Sequence, residues 1–175
     1  MDNRLQVGDK SLLKKYLSKV KKSLVVVYKK YDFKDVDLSF LMDSSSVFSS
    51  NIEGNSIDLN TFMNYRMNAA KFKKNKEIAE IEDLVKAYKF AKAHELNEKN
   101  LLKVHEILSE KIVSKARQGK YRQEKVGVFG RFGLVYLAAP AEILNREMKD
   151  FCKDIGVVLK QKLSLEETFY FAAQI

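Results

Sequence analysis

Apolar residues recur every three to four positions along most of this chain, and the elements can be read from where that rhythm starts and stops. From Lys10 to about Tyr31 the apolar positions are Leu13, Leu17, Val20, Leu24 and Val27, with lysines between them, which predicts an amphipathic helix. A second helix is expected from about Val36 to Ile52, ended by Gly54 and Asn55. Asp58 is placed to cap a third, running to about Lys74 and carrying Phe62, Tyr65, Met67 and Phe72. Ile78, Ile81, Val85 and Tyr88 mark the apolar stripe of the next helix, with Glu77, Glu80, Lys86 and Lys89 outside it. Asn97 then offers a cap for a helix from about Glu98 to Arg117, with Leu101, Val104, Leu108 and Ile112 on one side and Gly119 closing it.

Between Gly119 and Ala139 the period changes. β-Branched and aromatic residues flank Gly130-Arg131-Phe132-Gly133, the signature of a β-hairpin. Pro140 stands where the first turn of a helix tolerates proline, and a helix from about Ala141 to Lys160 follows, striped by Leu144, Met148, Phe151, Ile155 and Val158. Ser164 with Glu167 three residues on makes a capping box for a last helix. That helix is apolar nearly all round (Leu165, Phe169, Tyr170, Phe171, Ala172, Ala173, Ile175), so burial is expected. A chain stopping at Ile175 on such a helix reads as one interrupted within a domain.

Composition narrows the class. With 175 residues, 46% hydrophobic and 31% charged, the chain reads as soluble and globular and is long enough for one domain with a real core, or one domain plus an extension. Its single cysteine, Cys152, cannot form an internal disulfide and reads as a small core residue in a reducing cytoplasm. The longest apolar runs fall well short of a membrane span, and the polar start lacks a signal peptide's apolar stretch. The net charge of +9 is unevenly spread: between Met1 and Tyr31, Arg4, Lys10, Lys14, Lys15, Lys19, Lys21, Lys22, Lys29 and Lys30 stand against only Asp2 and Asp9. Lysine rather than the base-reading arginine dominates, which favours a solvated helix face over a nucleic-acid site. The two histidines do not form a metal set with Cys152. His105 lies between Leu101 and Leu108 and is expected to be buried and hydrogen-bonded; His94, near a helix end, is expected to cap or face solvent.

Ser49 to Asn55, Glu80 to Ala87, and Leu102 to Leu108 with Gly119 to Arg122, the hairpin and Pro140 are three segments that, in this order, resemble the Fic family of nucleotidyltransferases over roughly Val47 to Ile175. Ser49-Ser50-Asn51-Ile52-Glu53-Gly54-Asn55 fits the family's inhibitory-helix pattern [ST]-x-x-x-E-[GN]; Glu80 to Ala87 is similar to the helix that follows it. The third segment combines Leu102 to Leu108 around His105, then Gly119-Lys120-Tyr121-Arg122, the hairpin and Pro140. The resemblance implies a mainly α, Fic-like helical bundle with one hairpin, the flap, truncated before the catalytic loop. It divides the chain into a helical extension, residues 1–46, and an incomplete Fic domain, residues 47–175. The family's catalytic motif, H-P-F-x-[DE]-G-N-G-R, has no counterpart in this sequence. Neither His94 nor His105 precedes proline, and the motif would begin just past Ile175.

In the complete family member, the resemblance implies transfer of AMP from ATP, with magnesium, onto a protein hydroxyl. Glu53 would pair with a motif arginine, competing with the ATP γ-phosphate for one bidentate cation. This chain alone is expected to bind neither cofactor and to have no transferase activity, with no catalytic or metal residue of its own. The inhibitory motif would be Ser49, Glu53, Gly54 and Asn55, against a plainer reading of Glu53 as an exposed helix-end residue. Val126, Val128 and Tyr136 would be flap residues docking a protein target by strand addition; the plainer reading is a hairpin packed on helices. Tyr121 and Arg122 are expected to be structural, and Lys125 and Arg131 to keep the hairpin soluble. A homo-oligomer stays open, a membrane partner is not expected, and nucleic acid is disfavoured. The alternative is a non-enzymatic helical interaction or regulatory module whose basic N-terminal helix binds nucleic acid or a partner protein.

Overall fold

The computed structural model describes residues 7–20, 38–73 and 75–174. They form seven α-helices and one antiparallel hairpin, the mainly α architecture that the hydrophobic rhythm predicts. In chain order these are α1 (Leu13–Lys19), α2 (Leu38–Ile52), α3 (Leu59–Met67), α4 (Lys76–Ala93), α5 (Glu98–Leu108), β1 (Gly127–Gly130), β2 (Gly133–Leu137), α6 (Ala141–Leu159) and α7 (Leu165–Ala172). They fall into two compact units. One is built from described residues of 37–95 and 99–122; the other from those of 1–36, 96–98 and 123–175.

The first unit centres on α2, α3 and α4. Val47 of α2, Phe62 and Tyr65 of α3, and Ile78, Ile81 and Val85 of α4 form its core, with Ile57 and Leu59 packed against it. Asp58 caps α3 as expected, its carboxylate accepting from the Thr61 N–H at 2.7 Å. The helix stops at Met67, short of Lys74, because Asn68 leaves helical geometry and a 3₁₀ turn over Ala69–Lys71 follows. That turn brings Phe72 edge-on to Tyr65, with ring centroids 6.4 Å apart. Asn75 caps α4 by accepting from the Ile78 N–H at 2.8 Å.

Helix α5 also ends early, at Leu108 rather than Arg117. Beyond it the Gln118 amide reaches back and donates to the carbonyls of Ser109, Glu110 and Val113. Those acceptors are thereby satisfied without further helical turns. None of the α5 residues is fully buried, and Ile112, expected on its apolar stripe, is 66% exposed.

In the second unit, Val7, Ile155, Val158, Tyr170 and Phe171 form the core. Helix α1 spans only part of the expected Lys10–Tyr31 element, since Val20 is extended and Ser18 Oγ donates to the Lys15 carbonyl, a local bond that competes with the helix ladder. Leu24 and Val27 lie outside the described residues. The segment before α1 is strapped to the end of the chain: Tyr170 Oη and Gln174 Nε2 both donate to the Asp9 carbonyl, at 3.0 and 2.8 Å. Pro140 sits at the N-cap of α6. The α7 capping box forms in full, with Ser164 and Glu167 each accepting from the other's backbone N–H. Burial of α7 is narrower than expected: Tyr170 and Phe171 are buried, but Phe169, Ala172 and Ala173 are exposed. An all-apolar helix has no preferred face, so its contacts are set by which neighbours are present.

The Ser164 backbone and side chain hold Glu167 below its usual carboxylate pKa, and Ser11 does the same to Asp9. A depressed folded pKa contributes stability that is complete above the ordinary value and lost as pH falls through the folded one. The expected result is a melting temperature that is steady down to about pH 5 and then declines, with a shallower acid decline in Ser164→Ala. Thermal melts followed by circular dichroism across that range check it.

Candidate functional site

The Ser49–Asn55 segment lies at the end of α2, and its backbone explains each residue type. The Asn55 N–H bonds to the Ser50 carbonyl at 3.1 Å and the Gly54 N–H to the Asn51 carbonyl at 3.0 Å. This pair of bonds is a Schellman cap, with Glu53 at the last half-helical position and Gly54 just beyond it. Gly54 has φ +94°, a left-handed conformation that a side chain resists.

Beyond the cap, the turn is fastened to α4. Asn55 Nδ2 donates to the Glu77 carbonyl at 3.0 Å, and the Asn55 side-chain oxygen accepts from the Ile57 N–H at 3.0 Å. Both the N–H and the hydroxyl of Ser56 donate to Glu77 Oε1, at 3.0 and 2.8 Å, which holds the Glu77 carboxyl below its usual pKa. With its amide nitrogen turned inward, Asn51 donates to the carbonyls of Val47, Asn55 and Ile57. Ser50 is buried, and Ser49 Oγ lies 3.4 Å from the Tyr88 hydroxyl.

Glu53 is the exception. It is exposed, and among the described residues its side chain makes no hydrogen bond or ion pair. Its neighbours are committed to holding the turn, while its carboxylate projects from a fixed helix end. Chemically, such a group can pair with an incoming cation without first breaking a bond. Sequence reasoning found the motif and its glycine but missed the Ser56–Glu77 latch, whose 21-residue separation leaves no local pattern.

His105 is corrected by the structure. It is exposed, not buried, though hydrogen-bonded: its Nδ1 accepts from the Gly119 N–H at 3.1 Å. Its role is to hold the loop after α5 closed, where Gly119 has φ +64° and a Cβ would meet the Leu102 carbonyl at 3.1 Å. His94 caps α4 as expected, with Nδ1 2.8 Å from the Phe90 carbonyl and its ring stacked on Phe90. Cys152 is half-buried, and burial pushes its thiol pKa up. Tyr121 and Arg122 are half-buried. Among the described residues no group of three His, Cys, Asp or Glu side chains is placed to hold a metal ion, and no helix is long and apolar enough to cross a membrane.

The hairpin in the other unit forms at the expected place. Gly127 pairs with Leu137, Val128 with Tyr136, Phe129 with Leu134 and Gly130 with Gly133, with an irregularity at Val128/Phe129. Leu134 and Val135 fold over glycine positions of β1, where a Cβ at Gly127 or Gly130 would lie 2.8 Å from their methyl carbons. Val126, Val128 and Tyr136 are 46, 56 and 60% exposed, and Phe132 at the tip is 98% exposed. No third strand joins the pair among the described residues, so both edges offer backbone groups to an added strand.

No protein-family model matches the chain, and no curated protein matches it. The fold is similar to that of the crystal structure of a Fic family protein from Desulfovibrio desulfuricans G20, at 18% identity and a TM-score of 0.54. The likeness covers 87% of this chain and 45% of that one, so the chain spans less than half the length of the protein it resembles. At that identity the likeness establishes that this chain has a Fic-like fold.

Proposed function

We propose that this chain is the N-terminal part of a Fic-family protein adenylyltransferase, with Glu53 as its inhibitory residue and the exposed hairpin as its target-docking flap. The observation that carries the reading is the exposed, unpaired Glu53 carboxylate on a capped helix end, in a fold similar to a Fic family protein. A carboxylate so held is pre-organised to occupy an arginine that would otherwise bind a phosphate. Val126, Val128 and Tyr136 on the open hairpin suit strand addition by an extended protein segment.

The residues present do not fit ATP and magnesium. The sequence has no H-P-F-x-[DE]-G-N-G-R motif, and its one Gly-Asn pair, Gly54-Asn55, is consumed by the helix cap and the bonds to Glu77. Catalysis therefore belongs to residues that this chain does not contain, and the chain alone is inactive. The test is incubation with labelled ATP and candidate target proteins. No transferred label is expected from this chain; transfer that depends on it would overturn the reading. A catalytic segment bearing the motif, supplied separately, is expected to show more transfer with Glu53→Gly chain than with the wild-type chain.

A further inference from the structure

The charge of the first unit is unevenly placed. From 38 to 95, eight acidic residues are matched by eight basic ones. From Lys99 to Arg122 there are seven basic residues and two acidic ones, and both acidic side chains are already bound by lysines of the same segment: Glu106 by Lys103 at 2.9 Å and Glu110 by Lys111 at 2.8 Å. Lys99, Lys115 and Lys120 make no ion pair among the described residues.

Most of that surplus is gathered by a loop with a defined build. Gln118 donates to the carbonyls of Ser109, Glu110 and Val113, His105 accepts from Gly119, and Ser109 Oγ donates to the His105 carbonyl. These bonds close residues 109–119 into a compact loop whose ends meet, an arrangement often found in functional loops. Lys111, Lys115, Arg117 and Lys120 are exposed on it or beside it.

We propose that this loop is a docking surface for the phosphate backbone of a nucleic acid, bound without sequence preference. Lysine supplies point charges suited to phosphates, and of the loop's two side chains of base-reading type Gln118 is held on its own backbone carbonyls, which leaves Arg117 alone, too few for a sequence readout. An anionic membrane is the weaker match. Ile112 is the loop's single large exposed apolar side chain, and stable membrane attachment needs a second apolar or lipid anchor. The proposed site includes neither Glu53 nor any lysine of α1.

The test uses the whole chain and a mixed-sequence duplex of about 20 base pairs, with a single-stranded RNA of similar length, read by fluorescence anisotropy across a salt series. The expected slope of log affinity against log salt is about −3, as three or four phosphate contacts require. Lys111→Gln/Lys115→Gln/Lys120→Gln should weaken binding at least about tenfold and remove most of that slope. Gln118→Ala keeps every charge but opens the loop, and should weaken binding several-fold with the fold intact by circular dichroism. Lys14→Gln/Lys15→Gln/Lys19→Gln should change little. Equal loss in the two triple variants, no effect of Gln118→Ala, no nucleic-acid binding at all, or binding to phosphatidylserine vesicles in preference to nucleic acid would each overturn the proposal.

Discussion

Phe62→Ala is expected to destabilise the α2–α4 unit by about 3–5 kcal/mol, the usual cost of emptying a fully buried phenylalanine site. Phe62 is fully buried, between Val47 of α2 and the Ile78, Ile81 and Val85 stripe of α4, with the Tyr65 ring 6.1 Å away. The loss combines apolar area returned to water with a cavity that three anchored helices cannot collapse into. Since a domain has only about 5–15 kcal/mol in total, the variant should lose a large share of its stability. Phe62→Leu keeps most of the volume and should cost less than about 1.5 kcal/mol. Hydrogen exchange at the α2 and α4 amides reads the loss where it occurs, and an alanine variant protected as well as wild type would show that Phe62 is not the keystone of that core.

Lys86→Met is the second large effect. Asp83 is buried, with 3% of its side chain exposed, and its Oδ1 accepts from Lys86 Nζ at 2.7 Å. Its other oxygen, Oδ2, is buried with no hydrogen-bond partner. Removing the ammonium leaves a buried carboxylate with no compensating charge, which costs several kcal/mol in a closed interior. Lys86 is half-exposed and its charge is partly screened by water, so about 1–3 kcal/mol is expected here. Asp83→Asn removes the charge instead of its partner and should cost less, which separates a charge penalty from lost packing. Asp83 raises the Lys86 pKa chiefly through their hydrogen bond, so the pair's contribution is complete below about pH 10 and is lost as pH rises through the raised value. Urea titrations of both variants near neutral pH and above pH 10 check the order and the sign.

The parts of the fold that were legible in the sequence are those decided within a few residues. The Ser164–Glu167 box, the Asp58 cap, the Gly54 stop and the Gly130–Gly133 turn each rest on bonds spanning three to five positions. The extent of α5 was not legible, because Gln118 intercepts carbonyls five to nine residues back and nothing in the hydrophobic rhythm marks such a capture. The exposure of His105 was missed for a related reason: a stripe says which residues share a face, not whether anything lies against it. At the candidate site, the motif and its glycine were visible, whereas the Ser56–Glu77 latch depends on tertiary contact. Nothing in the sequence marks Asp83 as buried, since an i,i+3 pair with Lys86 has the same spacing whether wet or dry.

The turn after α2 also acts as a phase marker. Ser50, Asn51 and Glu53 are counted backward from the left-handed glycine, so the direction of the Glu53 carboxylate is indexed to Gly54 and not to the start of the helix. One residue inserted between Glu53 and Gly54 would move the acid back into the helix and swing that carboxylate by about 100° around its axis relative to the glycine. Residues added ahead of Leu38 would leave it where it is. The upstream end of the helix can therefore vary in length without re-aiming the acid, while the short stretch leading into the glycine has no such freedom.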